Sequence, residues 1–66
     1  MSVARVTEIS SDSPKSFEDA IQQGIARASK TLRNLSGAWI EDQKVVVKKG
    51  KIVEYRVHMK ITFVLD

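Results

Sequence analysis

From Val53 to Leu65 the chain alternates almost without a break. Val53, Tyr55, Val57, Met59, Ile61, Phe63 and Leu65 take the odd positions, and Glu54, Arg56, His58, Lys60, Thr62 and Val64 the even ones. Alternation of period two predicts a β-strand that is apolar on one face. At about 3.3 Å per residue, residues 53–65 would reach roughly 43 Å, whereas a compact globule of this chain length has a radius of gyration of only about 11 Å. A strand this long must bend, overhang or pair with other subunits. Pairing is the expectation, because small domains bury too little of their own surface and often oligomerise.

A different period governs the middle of the chain. Phe17, Ala20, Ile21, Gly24, Ile25, Ala28 and Leu32 recur at intervals of three and four residues, which is one continuous helical stripe. Ser16-Phe17-Glu18-Asp19 has the spacing of a capping box, with Asp in place of the usual Glu, so the helix is predicted to start at Phe17. Gly24 and Ala28 make the middle of the stripe small and let a backbone come close, most simply the face of a sheet. Such a helix serves packing. Asn34 to Gly37 is expected to end it, since Asn and Gly tolerate the left-handed conformation that helix ends need.

Two further strands complete the pattern. Val3 to Ile9 reads as a short strand, followed by a turn-forming cluster, Ser10-Ser11-Asp12-Ser13-Pro14-Lys15. A second strand is predicted from about Ala38 to Lys48, and Lys48-Lys49-Gly50-Lys51 reads as a tight turn into the last strand. The order β-α-β-β predicts an α+β fold, a three-stranded sheet with one helix on one face, forming a single domain over residues 1–66. No repeat, linker or low-complexity tract interrupts it.

Composition narrows the class. Hydrophobic residues make up 42% and charged residues 29%, as in an ordinary globular domain, and cysteine is absent, so neither disulfides nor a thiolate metal site supports this small chain. No apolar run approaches the roughly 20 residues that span a bilayer, and Met1-Ser2-Val3-Ala4-Arg5 does not resemble a signal peptide, so a cytoplasmic location is expected. The net charge of +3 permits an acidic partner without requiring one.

Catalytic chemistry finds little support. Nucleophilic catalysis needs an activated Ser, Cys or Thr beside a base, and the sole histidine, His58, has Arg56 and Lys60 as its same-face neighbours along the strand, which disfavour a protonated imidazole. Glu41 and Asp42 are adjacent and would point to opposite faces of a strand, so they form no carboxylate pair within one chain. No enzyme is expected. Around a symmetry axis, however, Glu41, Asp42, Glu54 or His58 would be presented several times over and could form a ring of ligands. The hairpin Lys44 to Lys51 is the densest positive patch. A basic ribbon can enter a nucleic-acid groove, but lysines also keep an exposed hairpin soluble, and the lack of interleaved aromatics weighs against nucleic acid. Trp39, just after Ser36-Gly37, is either buried in a core or interface or exposed to stack on a planar ligand.

The segments Ala20-Ile21-Gln22, Ile25-Ala26-Arg27-Ala28 and Thr31-Leu32-Arg33, followed by Val53-Glu54-Tyr55-Arg56-Val57-His58-Met59-Lys60-Ile61-Thr62-Phe63, resemble the dodecin family over nearly the whole chain. The resemblance implies a hollow homododecameric shell whose protomers wrap a three-stranded antiparallel sheet around the helix. It also implies a non-enzymatic role in flavin storage. Family members stack paired isoalloxazine rings between tryptophans and hydrogen-bond them through a glutamine.

Three positions depart from that pattern. The family's Leu-x-Trp-Phe-Glu-Val becomes Leu35-Ser36-Gly37-Ala38-Trp39-Ile40, so the ungapped alignment puts Gly37 at the stacking position and displaces Trp39 by two residues; a gapped alignment would restore the Trp. Residues two apart on a strand share a face, about 6.6 Å along. The family's glutamine, donor and acceptor at once, is replaced by Arg56, which only donates. The arginine of the family's Gly-Phe-Arg-Leu ending is Val64. Gly37, Trp39 and Arg56 are therefore the candidate cofactor-binding residues, for FMN, riboflavin or FAD. The Tyr55-Arg56 pair, Ala38 and Gln43 resemble the flavin-free calcium dodecins, which implies calcium or another cation as the alternative ligand, without assigning metal-ligating residues.

Overall fold

The computed structural model describes residues 2–65. Four elements follow in chain order: β1 (Ala4–Ser13), α1 (Phe17–Thr31), β2 (Leu35–Lys48) and β3 (Lys51–Val64). They form the expected β-α-β-β arrangement, with one antiparallel sheet in the order β1-β3-β2. The strand with the strongest alternation is thus the central one, hydrogen-bonded on both edges.

The alternation of β3 divides the sheet into two faces. Val57, Met59 and Ile61 are fully buried and form the core with Ala20, flanked by Ile9, Phe17, Ile21, Ile25, Leu32, Leu35 and Ala38. The helix approaches this face through its small residues, and Ala20, Gly24 and Ala28 are its buried positions. A Cβ on Gly24 would lie 2.6 Å from Met59 Cε and 3.0 Å from Ser11 Cβ, so glycine is what permits the close approach. Phe17 closes one end of the core, edge-to-face on Tyr55 at 5.1 Å between ring centroids.

Helix α1 begins where its capping signal places it. Ser16 Oγ accepts from the Asp19 backbone N–H at 2.9 Å, but the Asp19 carboxylate accepts from buried Ser13 Oγ at 2.6 Å, tying the helix to the end of β1. Asn34 then adopts the left-handed conformation, with φ of 60°, and its carbonyl accepts from the Val64 N–H.

Two boundaries differ from expectation. The Ser10 to Ser13 stretch, turn-like by composition, is strand, because β3 supplies a partner for each residue: Ser10 faces His58, Ser11 Val57, Asp12 Arg56 and Ser13 Tyr55. Strand β2 begins at Leu35, so Ser36 and Gly37 lie within it. Ser36 is an extra residue at an irregularity in register, and Gly37 faces Thr62. In both places pairing with a central strand overrides local preference.

The lysine-rich turn is as predicted. Lys49 and Gly50 both have positive φ, 52° and 75°, in a two-residue loop of the type that suits the twist of a hairpin. Strands β2 and β3 run on towards this turn past the last β1 pair, Ser13 with Tyr55, and leave Val47, Ile52 and Val53 exposed. The molecule measures 50 × 19 × 13 Å with a radius of gyration of 13.5 Å. Its surface of 4994 Å² exceeds the roughly 4,200 Å² of a compact monomer of this mass. The long hairpin is an arm that its own chain does not cover.

Candidate functional site

The sheet face turned away from α1 is polar. Reading across the strands, Glu8, Ser10 and Asp12 of β1 stand beside Lys60, His58 and Arg56 of β3, and these beside Trp39, Asp42 and Lys44 of β2. Opposite charges are matched along it. Arg56 Nε donates to Asp12 Oδ1 at 2.7 Å, with Glu54 at 3.6 Å; His58 Nε2 lies 3.0 Å from Glu8 Oε2; Lys60 Nζ lies 2.9 Å from Glu41 Oε1. These side chains are half-exposed, and such pairs set side-chain geometry more than they stabilise the fold. The hydrogen bond and charge of Asp12 raise the pKa of Arg56, and those of Glu41 raise that of Lys60.

One expectation about this face is corrected. Glu41 and Asp42 do not diverge. The register slips between Ile40 and Asp42, so Glu41 is an extra residue in β2; it reaches Lys60, and Asp42 pairs with His58 on the same face. Such an irregularity re-aims a side chain that strict alternation would send the other way. Along the same face Arg56 and Lys60 each have their own carboxylate, and His58 faces Glu8.

The three candidate residues all lie on this face, though not together. Trp39 pairs with Lys60 and is 62% exposed, so within one chain the ring is not part of the core. Gly37 pairs with Thr62, next along the same face, and nothing stands within 4 Å of where its Cβ would be. Arg56 lies four residues along β3 from Lys60, about 13 Å away. Trp39 and Gly37 lie side by side on the sheet, and Arg56 is held by Asp12 further along it.

A shallow cleft of about 290 Å³ lies on the same face, lined by Ser10, Asp42, Lys44, Arg56 and His58. Among the described residues no three His, Asp or Glu side chains converge on a metal position. Among the described residues no helix is long and apolar enough to cross a membrane. Reasoning from sequence missed Glu8 and Asp12 as members of this face, and missed that Glu41 turns to Lys60. The signal lay in the alternation of β3, which already set Arg56, His58 and Lys60 side by side, but their partners depend on register.

Comparison with known proteins places the fold. The family model described as Dodecin matches residues 3–66. Among solved structures, a dodecin from Streptomyces davaonensis is 38% identical, with a TM-score of 0.93, covering 98% of this chain and 96% of that one. A mutant of a Thermus thermophilus dodecin is 30% identical, also with a TM-score of 0.93, covering 100% and 98%. A calcium-chelating immunodominant antigen from Mycobacterium tuberculosis, termed calcium dodecin, is 25% identical with a TM-score of 0.85, covering 97% and 91%. No curated protein matches the chain.

Proposed function

The chain belongs to the dodecin family, and from that premise we propose that it assembles into a hollow homododecameric shell in the cytoplasm that binds and stores a small planar ligand, flavin by family default, without turning it over. The observation that carries this reading is the bare Trp39 ring on the polar sheet face, with open space over Gly37 beside it. A large aromatic left in water gains most when a flat ligand or a second ring covers it. In this reading Trp39 is the stacking platform, Gly37 gives the clearance, and Arg56 comes to the ligand from a neighbouring copy. The uncovered arm and the surplus surface favour assembly. Bound flavin would supply the planar π-system; the chain's part is to cover it and keep it from water.

A second reading follows from one observation. Arg56 is engaged by Asp12, and Glu8, Glu41, Asp42 and Glu54 stand on the same face, a carboxylate set that repetition about an axis would concentrate. This favours a cation-holding shell of the kind named in the calcium dodecin. Native mass spectrometry of freshly purified, unsupplemented protein separates the two. Twelve subunits with flavin-sized increments are expected; twelve subunits without flavin that fall apart on chelation would support the cation reading. A monomer would overturn both.

A further inference from the structure

The Trp39 ring stands directly across from Lys60, and Glu41 returns to Lys60 through the irregular register of β2. Side chains directly opposite across an antiparallel pair have Cβ atoms about 5 Å apart, so the lysine and tryptophan side chains rise from the sheet as neighbours. Lys60 Nζ and Glu41 Oε1 are 2.9 Å apart and both half-exposed. An ammonium carries three N–H donors and a carboxylate two acceptor oxygens, so each keeps hydrogen-bonding capacity beyond the pair.

We propose that Lys60 and Glu41 are the specificity-determining residues of the Trp39 platform, and that they select planar heterocycles with an amide or imide edge. This selectivity rests on Trp39 being the stacking surface, as proposed above. An imide presents a carbonyl oxygen next to an N–H. The lysine donates to the first, and the carboxylate accepts from the second. A donor and an acceptor held side by side restore what a glutamine offers, and what Arg56, a donor only and already bound to Asp12 about 13 Å away, does not.

The test uses the whole assembly with two probes, riboflavin and its 3-methyl analogue, which lacks the imide N–H, and follows quenching of flavin fluorescence. The wild-type protein is expected to bind riboflavin at least tenfold more tightly than the methylated probe. Glu41→Met should bring that ratio close to one, Lys60→Met should weaken both probes at least threefold with the ratio little changed, both with the assembly mass unchanged, and Trp39→Ala should abolish binding of both probes. If Glu41→Met leaves the ratio unchanged and Lys60→Met leaves both affinities unchanged while Trp39→Ala still abolishes binding, the platform stands and the proposed readers are wrong. The same holds if Arg56→Met alone removes the ratio. Failure of the wild-type protein to bind riboflavin would overturn the platform and this inference together.

Discussion

Strand β3 has two faces made from the same backbone. Towards the helix it presents Val57, Met59 and Ile61, all fully buried; away from it, Arg56, His58 and Lys60, half-exposed and each set against a carboxylate. The first face has one solution. Burial of each large side chain stabilises by about 1.5–3 kcal/mol, and packed interiors tolerate neither voids nor surplus atoms. The second face is weakly constrained by stability, since exposed ion pairs contribute little. Its residues can therefore change while the fold stays the same. That separation explains how a chain can keep the family's fold while altering residues of the exposed face.

The largest test of this contrast is Met59→Pro. Proline removes a ladder donor from the central strand, so the variant is expected to yield no folded assembly by circular dichroism and size-exclusion chromatography. A normal-sized shell would show that β3 is not the organising strand. Met59→Ala keeps the ladder but opens the core, and chemical denaturation should show a loss of about 2–5 kcal/mol. Gly24→Val probes the same contact from the helix side. Its Cβ meets Ser11 Cβ at 3.0 Å, and denaturation should show a loss of about 1–3 kcal/mol from overpacking.

Substitutions on the polar face should behave in the opposite way. Trp39→Ala is expected to change folding stability by no more than about 0.5 kcal/mol, yet remove flavin quenching. A large loss of stability with unchanged binding would reverse the contrast. The smallest effect concerns pH. Glu41 raises the pKa of Lys60, so the contribution of their pair to stability is complete below the ordinary lysine value and is lost as pH rises through the higher folded value. The window is alkaline, above about 10.4. Glu41→Gln should move the Lys60 titration, followed by NMR of its side-chain nitrogen, to lower pH and leave the neutral range unchanged.

Much of the fold was legible because its signals are local and periodic. The stripe from Phe17 to Leu32, the Ser16 cap and the Lys49-Gly50 turn each follow from spacing or backbone preference within a few residues. The strand limits were less legible. Ser10 to Ser13 has turn composition and became strand only because β3 pairs with it, through residues distant in sequence such as His58 and Tyr55. The candidate site divides in the same manner. Exposure of Trp39 was one of two readings open to the sequence, and the association of Glu41 with Lys60 was contrary to simple alternation.

The order of elements, the apolar face of β3, the small helix face that meets it and the length that leaves an arm uncovered could all be read along the chain. These depend on periodicity and residue volume, which any stretch of sequence carries within itself. Which charges meet on the opposite face was settled in three dimensions, because one extra residue in β2 changes every cross-strand partner beyond it and turns Glu41 towards Lys60.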